Sequence, residues 1–372
     1  MPELETHAGR MPAPAGTYVY VSNAADGEIG SHRMQPDGTL QPGARTKAAD
    51  LVGPLAASPD RRFLYAAVRS APYSVHAYAI DPGSGALTPL SVAPLAASCP
   101  YISLDRTGRY LFGASYQSNL VSVNAVGADG RVAAAPLQLI PVGRNAHSIR
   151  IDWSNRYVYV PTLGSDQIFQ FAFDAKSGRL SSNTPAIVQL QAGTGPRHFV
   201  TSADNKFLYA LSELLGTVTT LALDGDTGLL TEIGSASGLP PDTKLVPGAP
   251  RLAVGAKDAT RPRNRDSDIW AADIHLTPHG KFLYISERTS STLGAFRVNG
   301  ATGKLTYLGS TPTESQPRGF AIDAKGGFLV ACGEKSETIS VYAIDAASGA
   351  LSLLRQYAGG KGANWVEIVS FA

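Results

Sequence analysis

Tyr18-Val19-Tyr20, Phe63-Leu64-Tyr65, Tyr110-Leu111-Phe112, Tyr157-Val158-Tyr159, Phe207-Leu208-Tyr209, Phe282-Leu283-Tyr284 and Phe328-Leu329-Val330 are seven versions of one short pattern, an aromatic residue opening an apolar strand. Successive copies start 45, 47, 47, 50, 75 and 46 residues apart. A repeat of this length is one four-stranded propeller blade, because a single small sheet cannot bury its own faces and must stack on its neighbours. Seven copies predict an all-β, seven-bladed propeller. The long fifth interval predicts an inserted loop at about 240–268.

Each copy follows one plan. A turn such as Ser58-Pro59-Asp60-Arg61 or Thr277-Pro278-His279-Gly280 separates a first strand, A, from the aromatic strand, B. An alternating run then forms strand C, as in Ser74 to Ile80 or Ile339 to Ile344. A glycine-bearing turn, Asp81 to Leu87 in one copy and Asp345 to Leu351 in the last, leads to strand D. The chain opens directly on a B strand, Thr17 to Ser22, and ends with a surplus strand, Asn364 to Phe371. The tail is therefore expected to supply the missing A strand of the first blade and close the ring, which removes the open sheet edges. Residues 17–372 read as one domain, and residues 1–16 as a poorly ordered leader.

Composition agrees. Of 372 residues, 44% are hydrophobic and 17% charged, enough to bury a large core, while 38 glycines and 25 prolines are too many for long helices. No apolar run approaches the roughly 20 residues that span a bilayer, and the N-terminus has no apolar signal core, so a cytoplasmic protein without a membrane partner is expected. Cys99 and Cys332 have no metal-type spacing and read as buried thiols. A net charge of +2 gives no field for nucleic acid, and the expected partner is small.

The topology sorts the polar residues. Strand A lies nearest the channel, and because B runs antiparallel to it, the start of A and the end of B share one face. His147, Arg197, His198, Asp273, His275 and Arg318 stand at A starts, with Gln316 beside Arg318; Glu213, Glu287, Arg288, Glu334 and Lys335 stand at B ends. Gathered at one mouth, imidazole, guanidinium and carboxylate groups make a candidate catalytic site. No Gly-x-Ser-x-Gly elbow occurs, since Gly113-Ala114-Ser115-Tyr116-Gln117 fails at its last position, and zinc-protease, P-loop and dinucleotide motifs are missing from the sequence. No cofactor or metal is expected.

His147-Ser148, Gly193-Thr194-Gly195-Pro196-Arg197-His198, Trp270-Ala271-Ala272-Asp273-Ile274-His275-Leu276-Thr277-Pro278, Ser286-Glu287-Arg288-Thr289 and Glu314-Ser315-Gln316-Pro317-Arg318-Gly319-Phe320 resemble the propeller-type lactonase family. That family holds bacterial 6-phosphogluconolactonases and a fungal 3-carboxy-cis,cis-muconate lactonizing enzyme. The likeness runs from about Tyr18 to the C-terminus. It implies a carboxylic-ester hydrolase acting on an anionic sugar-acid lactone, foremost 6-phosphogluconolactone, with an aldarolactone hydrolase or a carboxymuconate cycloisomerase as alternatives. The alternative of another class is a non-catalytic binding propeller. The matching motifs imply that His147, Arg197, Glu213 and Arg288 are catalytic, with His147 or Glu213 as base and Arg197 at the oxyanion or a substrate carboxylate. Substrate binding falls to His198, Asp273, His275, Glu287, Arg318 and Gln316. The insert departs from the family in length and carries Lys244, Arg251, Lys257, Arg261, Arg263 and Arg265, of which the last three are candidates for phosphate contacts.

Overall fold

The computed structural model describes residues 16–252 and 266–371, and the expectations for residues 1–15 and for Lys257, Arg261, Arg263 and Arg265 lie outside the described residues. The described chain forms seven four-stranded antiparallel sheets, with a single short 3-10 turn at Leu163–Ser165 besides. The seven-bladed propeller expected from the repeat is the observed fold. In four blades the B strand is closed to solvent along its whole length, as in Phe207–Ser212, and in the other three only its first residue is half-buried, whereas the D strand Leu230–Ser237 alternates little and faces water. Hydrophobic B strands and polar D strands thus order each blade from the channel outward.

The core is divided among the seams. Tyr110, Phe112 and Val121 of the third blade pack with Ile149, Val158 and Phe171 of the fourth. Tyr157 and Tyr159 pack with Phe199 and Leu208 across the next seam, and a comparable cluster fills the seam between the last and first blades, joining Val330 and Val341 to Val19 and Val21. Each buried Leu, Val or Phe contributes about 1.5–3 kcal/mol, so every seam is a small core of its own.

The repeated aromatic has a stated job. Tyr18 lies against Gly85 in the C–D turn of the next blade, Phe63 against Gly130, Tyr110 against Gly178, and so on round to Phe282 against Gly349. In three copies the motif's second tyrosine caps the same turn: Tyr20 donates to the Gly85 carbonyl at 2.9 Å, Tyr159 to that of Gly228 at 2.9 Å and Tyr284 to that of Gly349 at 2.8 Å. Gly85 has φ +71, and a Cβ there would stand 2.2 Å from the Tyr18 ring, so glycine satisfies both the left-handed turn and the aromatic lid.

The ring closes as the chain ends anticipated. Ala363–Ser370 pairs antiparallel with Thr17–Asn23, from Thr17 opposite Ser370 to Asn23 opposite Ala363, and takes the innermost place in the first blade. Ser22 Oγ and Asn364 Oδ1, 342 positions apart, meet at 2.9 Å.

Candidate active site at the channel mouth

Arg197 and His198 are consecutive, so in a regular strand they would point to opposite faces. The strand Pro196–Thr201 instead carries a bulge between Pro196 and Phe199, and Ala271–Leu276 carries one between Ala271 and Ile274. An extra residue in one strand re-aims its side chains, and here the two bulges direct Arg197, His198 and Asp273 together.

Arg197 is wholly buried, and its donors are assigned one by one. Nε donates to Glu213 Oε2 at 2.8 Å, and Nη1 donates to the Ala272 carbonyl and meets His198 Nε2 at 3.0 Å. Nη2 is shut from solvent with no partner. Because His198 Nε2 accepts from Arg197, its Nδ1 holds the hydrogen and donates to Asp273 Oδ1 at 2.8 Å. His275 Nε2 meets the other Asp273 oxygen at 3.1 Å. Glu213 Oε2 also accepts from Arg288 Nη2 at 3.0 Å, so one carboxylate oxygen bridges two guanidinium groups from different blades.

His147 stands beside this group, with its ring 5.2 Å from that of His198 and edge-on to Tyr116 at 5.6 Å. Its Nδ1 is likewise buried without a partner. Burial, then the charge of Arg197, holds its pKa well below the usual histidine range, and the same two causes lower His198 to about 3. Both imidazoles are neutral near pH 7. Burial and the neighbouring Arg288 bring Arg197 down to about 9, still charged. Against the upward push of burial, His275 and the hydrogen bond from His198 hold Asp273 well below the usual carboxylate range.

The remaining expected residues divide. Arg318 lies 3.6 Å from Glu334, whose other oxygen accepts from Gln316 Nε2 at 2.6 Å. Glu287 is committed to its own blade: Oε1 takes the Trp270 N–H and Oε2 takes the N–H and hydroxyl of Ser290. His275 lies two residues deeper along its strand than Asp273 and lines a different cavity at the opposite end of the channel. His275 thus bonds Asp273 of the mouth cluster while also bordering a second cavity, since two strand residues advance about 6.6–6.8 Å along the channel.

Two mouth residues escaped the sequence reading. Arg69, at the end of the second B strand, has a buried Nε with no partner and lies near Arg318 and Glu334; burial and Arg318 lower it to about 9. Tyr116 donates its hydroxyl to the Arg251 carbonyl at 2.7 Å, tying the insert to the third blade. A signal was present. Arg69, Tyr116, Glu213, Arg288 and Glu334 each stand six residues after the leading aromatic of their copy.

The described ends of the insert border the mouth. The Gly248 N–H donates to the Leu214 carbonyl at 2.9 Å, and Val246 pairs with Asp268 in a parallel bridge. The Trp270 ring lies between two guanidinium groups, Arg251 at 3.8 Å and Arg288 at 3.7 Å from its centroid. Beside it a cavity of about 300 Å³ is lined by Arg251, Asp266, Arg288, Gln316 and Lys335, and a second, about 230 Å³, by Arg69, Glu334 and Asn364. The Arg251, Arg288 and Lys335 side chains outweigh Asp266 in the first cavity, which can take an anion, while the buried Arg197 and His147 nitrogens can polarise a carbonyl and take a proton. Among the described residues no three His, Cys, Asp or Glu side chains gather as a metal site.

A family model described as lactonase, 7-bladed beta-propeller, matches residues 13–368. A 6-phosphogluconolactonase of Serratia proteamaculans is 39% identical over 95% of this chain and 98% of its own, and one of Pectobacterium carotovorum subsp. carotovorum is 38% identical with the same coverage. Among solved structures, a periplasmic gluconolactonase of Pseudomonas aeruginosa superposes with a TM-score of 0.82 at 26% identity, covering 95% of this chain and 99% of that one.

Proposed function

The chain belongs to the lactonase family of seven-bladed β-propellers, and from that premise we propose that it hydrolyses 6-phosphogluconolactone to 6-phosphogluconate at the Arg197 mouth. One observation carries the reading: two buried nitrogens, His147 Nδ1 and Arg197 Nη2, lack partners among the described residues. A buried donor or acceptor left unsatisfied costs about 1–3 kcal/mol, and a bound substrate relieves that cost.

Neutral His147 takes a proton from water as the water oxygen attacks the lactone carbonyl. Arg197 Nη2 donates to the oxyanion that forms, and Glu213 holds both Arg197 and Arg288 in place. The carbon–oxygen bond of the ring then breaks, the leaving oxygen takes the proton back from His147, and the product carboxylic acid ionises. The depressed proton affinity of His147 comes from burial and from the charge of the arginines around it. A substrate anion beside the arginines offsets their charge and raises that affinity toward the level a general base needs. His198 and Asp273 act through Arg197 and are positioning residues, while Arg69 and Arg318 face the substrate's negative charge.

The phosphate is best accommodated beside Trp270, where Arg251 and Lys335 are the cations not engaged by Glu213. A phosphorylated substrate does not cross membranes unaided, so the reading carries a cytoplasmic location with it. No helix among the described residues is long and apolar enough to cross a membrane.

The test is a panel of fresh 6-phosphogluconolactone, gluconolactone, an aldarolactone and 3-carboxymuconate, each followed against spontaneous opening. The expected result is a kcat/KM preference for the phosphorylated lactone that shrinks at least tenfold in Arg251→Gln/Lys335→Gln. Activity confined to the muconate would overturn hydrolysis in favour of cycloisomerisation, and inactivity on all four would favour a binding propeller.

A further inference from the structure

The far end of the channel holds a cavity of about 360 Å³ that the reaction does not use. Two arginines line it, Arg106 and Arg150, with His275, Glu367, Tyr101 and Trp365. Neither arginine forms an ion pair among the described residues. Arg106 Nε donates to the Asp152 carbonyl at 3.2 Å while its guanidinium lies over the Trp153 ring at 3.8 Å, and Arg150 Nη1 donates to the Phe199 carbonyl at 3.1 Å. Backbone carbonyls orient these groups without neutralising them.

The acids around them are poor counter-charges: the Asp152 carboxylate, whose charge acts on Arg106, already accepts from the Ser154 hydroxyl and from the Arg156 and Tyr157 N–H groups. Burial pushes Glu367 up to about 7, against the pull of His275 and Arg150, so near neutral pH it carries only part of a negative charge. Asp105, at the rim, is already committed to the hydroxyl and N–H of Thr107 and to the N–H groups of Arg109 and Tyr110. Two guanidinium groups at low local dielectric repel each other, and Arg150 helps to lower Arg106 to about 10 after burial itself. Maintaining that arrangement is costly in an empty channel and favourable around an anion. Tyr101 and Trp365, edge-on to each other at 5.4 Å, add aromatic surface suited to the C–H face of a sugar.

We propose that this end of the channel is a second binding site for a small organic anion of sugar size bearing a phosphate, divided from the reaction mouth by His198 and Asp273, on which Tyr101, Trp365 and His275 rest. Arg106 and Arg150 hold the phosphate, and Tyr101 and Trp365 cover the carbon skeleton. The count of two equivalents below rests on the mouth also binding 6-phosphogluconate, whereas the equivalent assigned to this site is identified by its loss in Arg106→Gln and Arg150→Gln, whatever the mouth binds.

Calorimetric titration decides it, with 6-phosphogluconate, inorganic phosphate and gluconate as probes. The wild-type chain is expected to take two equivalents of 6-phosphogluconate. Arg106→Gln and Arg150→Gln should each weaken one equivalent at least tenfold, while Arg251→Gln/Lys335→Gln weakens the other. Gluconate should bind the far site more weakly than inorganic phosphate, and inorganic phosphate more weakly than 6-phosphogluconate. Binding should also change tryptophan fluorescence in the wild type and less so in Trp365→Phe. If either arginine variant fails to fold, the wild-type stoichiometry still decides: a single equivalent, lost in Arg251→Gln/Lys335→Gln, overturns the site. Two equivalents that ignore both Arg106→Gln and Arg150→Gln overturn it as well.

Discussion

Phe328 of the seventh blade lies against Gly38 of the first, so close that a Cβ on Gly38 would stand 2.4 Å from the ring. The same contact joins every other pair of neighbouring blades, but only this one joins the two ends of the chain. Ring closure thus rests on two devices: the tail strand paired with Thr17–Asn23, and this aromatic lid on the opposite side of the same blade.

Gly38→Ala tests the second device. The residue has φ +82, where a side chain is strained, and the added methyl meets the Phe328 ring well inside van der Waals distance. Left-handed strain and overpacking together predict a loss of about 2–4 kcal/mol. Gly300, with open space around its Cβ position, is the control. In thermal melts Gly38→Ala should unfold several degrees early and Gly300→Ala with the wild type.

His147→Ala should lower kcat by about two orders of magnitude without moving the melting temperature much, as expected for loss of a general base. The pH profile gives a second readout. The folded pKa of His147 is depressed, so the histidine stays neutral as pH falls through the ordinary value of 6.5. The acid limb of kcat/KM, which reports the free enzyme, should therefore lie below pH 6.5. A limb above that value would remove His147 from the role of base.

Arg197 and Glu213 should separate chemistry from stability. Arg197→Lys keeps a charge near Glu213 but loses the unpartnered Nη2, so kcat should fall about 10²–10³-fold, the usual effect of removing an oxyanion donor. Glu213→Ala strands two buried guanidinium groups. Breaking a buried ionic arrangement in this way costs about 3–5 kcal/mol, and denaturant unfolding should show it.

Glu367 makes stability depend on pH in the unusual direction for a carboxylate. Its folded pKa is raised to about 7 from 4.5, so the folded state holds the proton between those values while the unfolded state has lost it. Stability from this group is full below about pH 4.5 and declines as pH rises through 7. Glu367→Gln, which stays neutral, should gain melting temperature over the wild type at pH 8 and little at pH 5. An equal difference at both pH values would contradict the raised pKa.

Much of this molecule can be read in one dimension. The repeat of Tyr18, Phe63, Tyr110, Tyr157, Phe207, Phe282 and Phe328 announces seven blades because each blade needs the same aromatic at the same seam. The strand missing from the start and the surplus strand at the end announce the closure. Counting six residues onward from each aromatic also finds Arg69 and Tyr116, which a search confined to carboxylates and their neighbours passes over.

What the sequence by itself determined is periodic: strand number, blade order, and which residues stand at strand ends near the mouth. Periodicity comes from local chemistry, since turns, apolar runs and aromatics act within a few residues of themselves. The tertiary structure decided which of those residues meet. The bulge between Pro196 and Phe199 puts Arg197 and His198 on the same side of their strand, one Glu213 oxygen joins arginines 91 residues apart in the chain (Arg197 and Arg288), and Glu287 is spent within its own blade. His275, one strand step beyond Asp273, reaches another cavity altogether. Such outcomes depend on angstrom differences in register and depth between separate sheets, and residue types and spacing carry no measure of either.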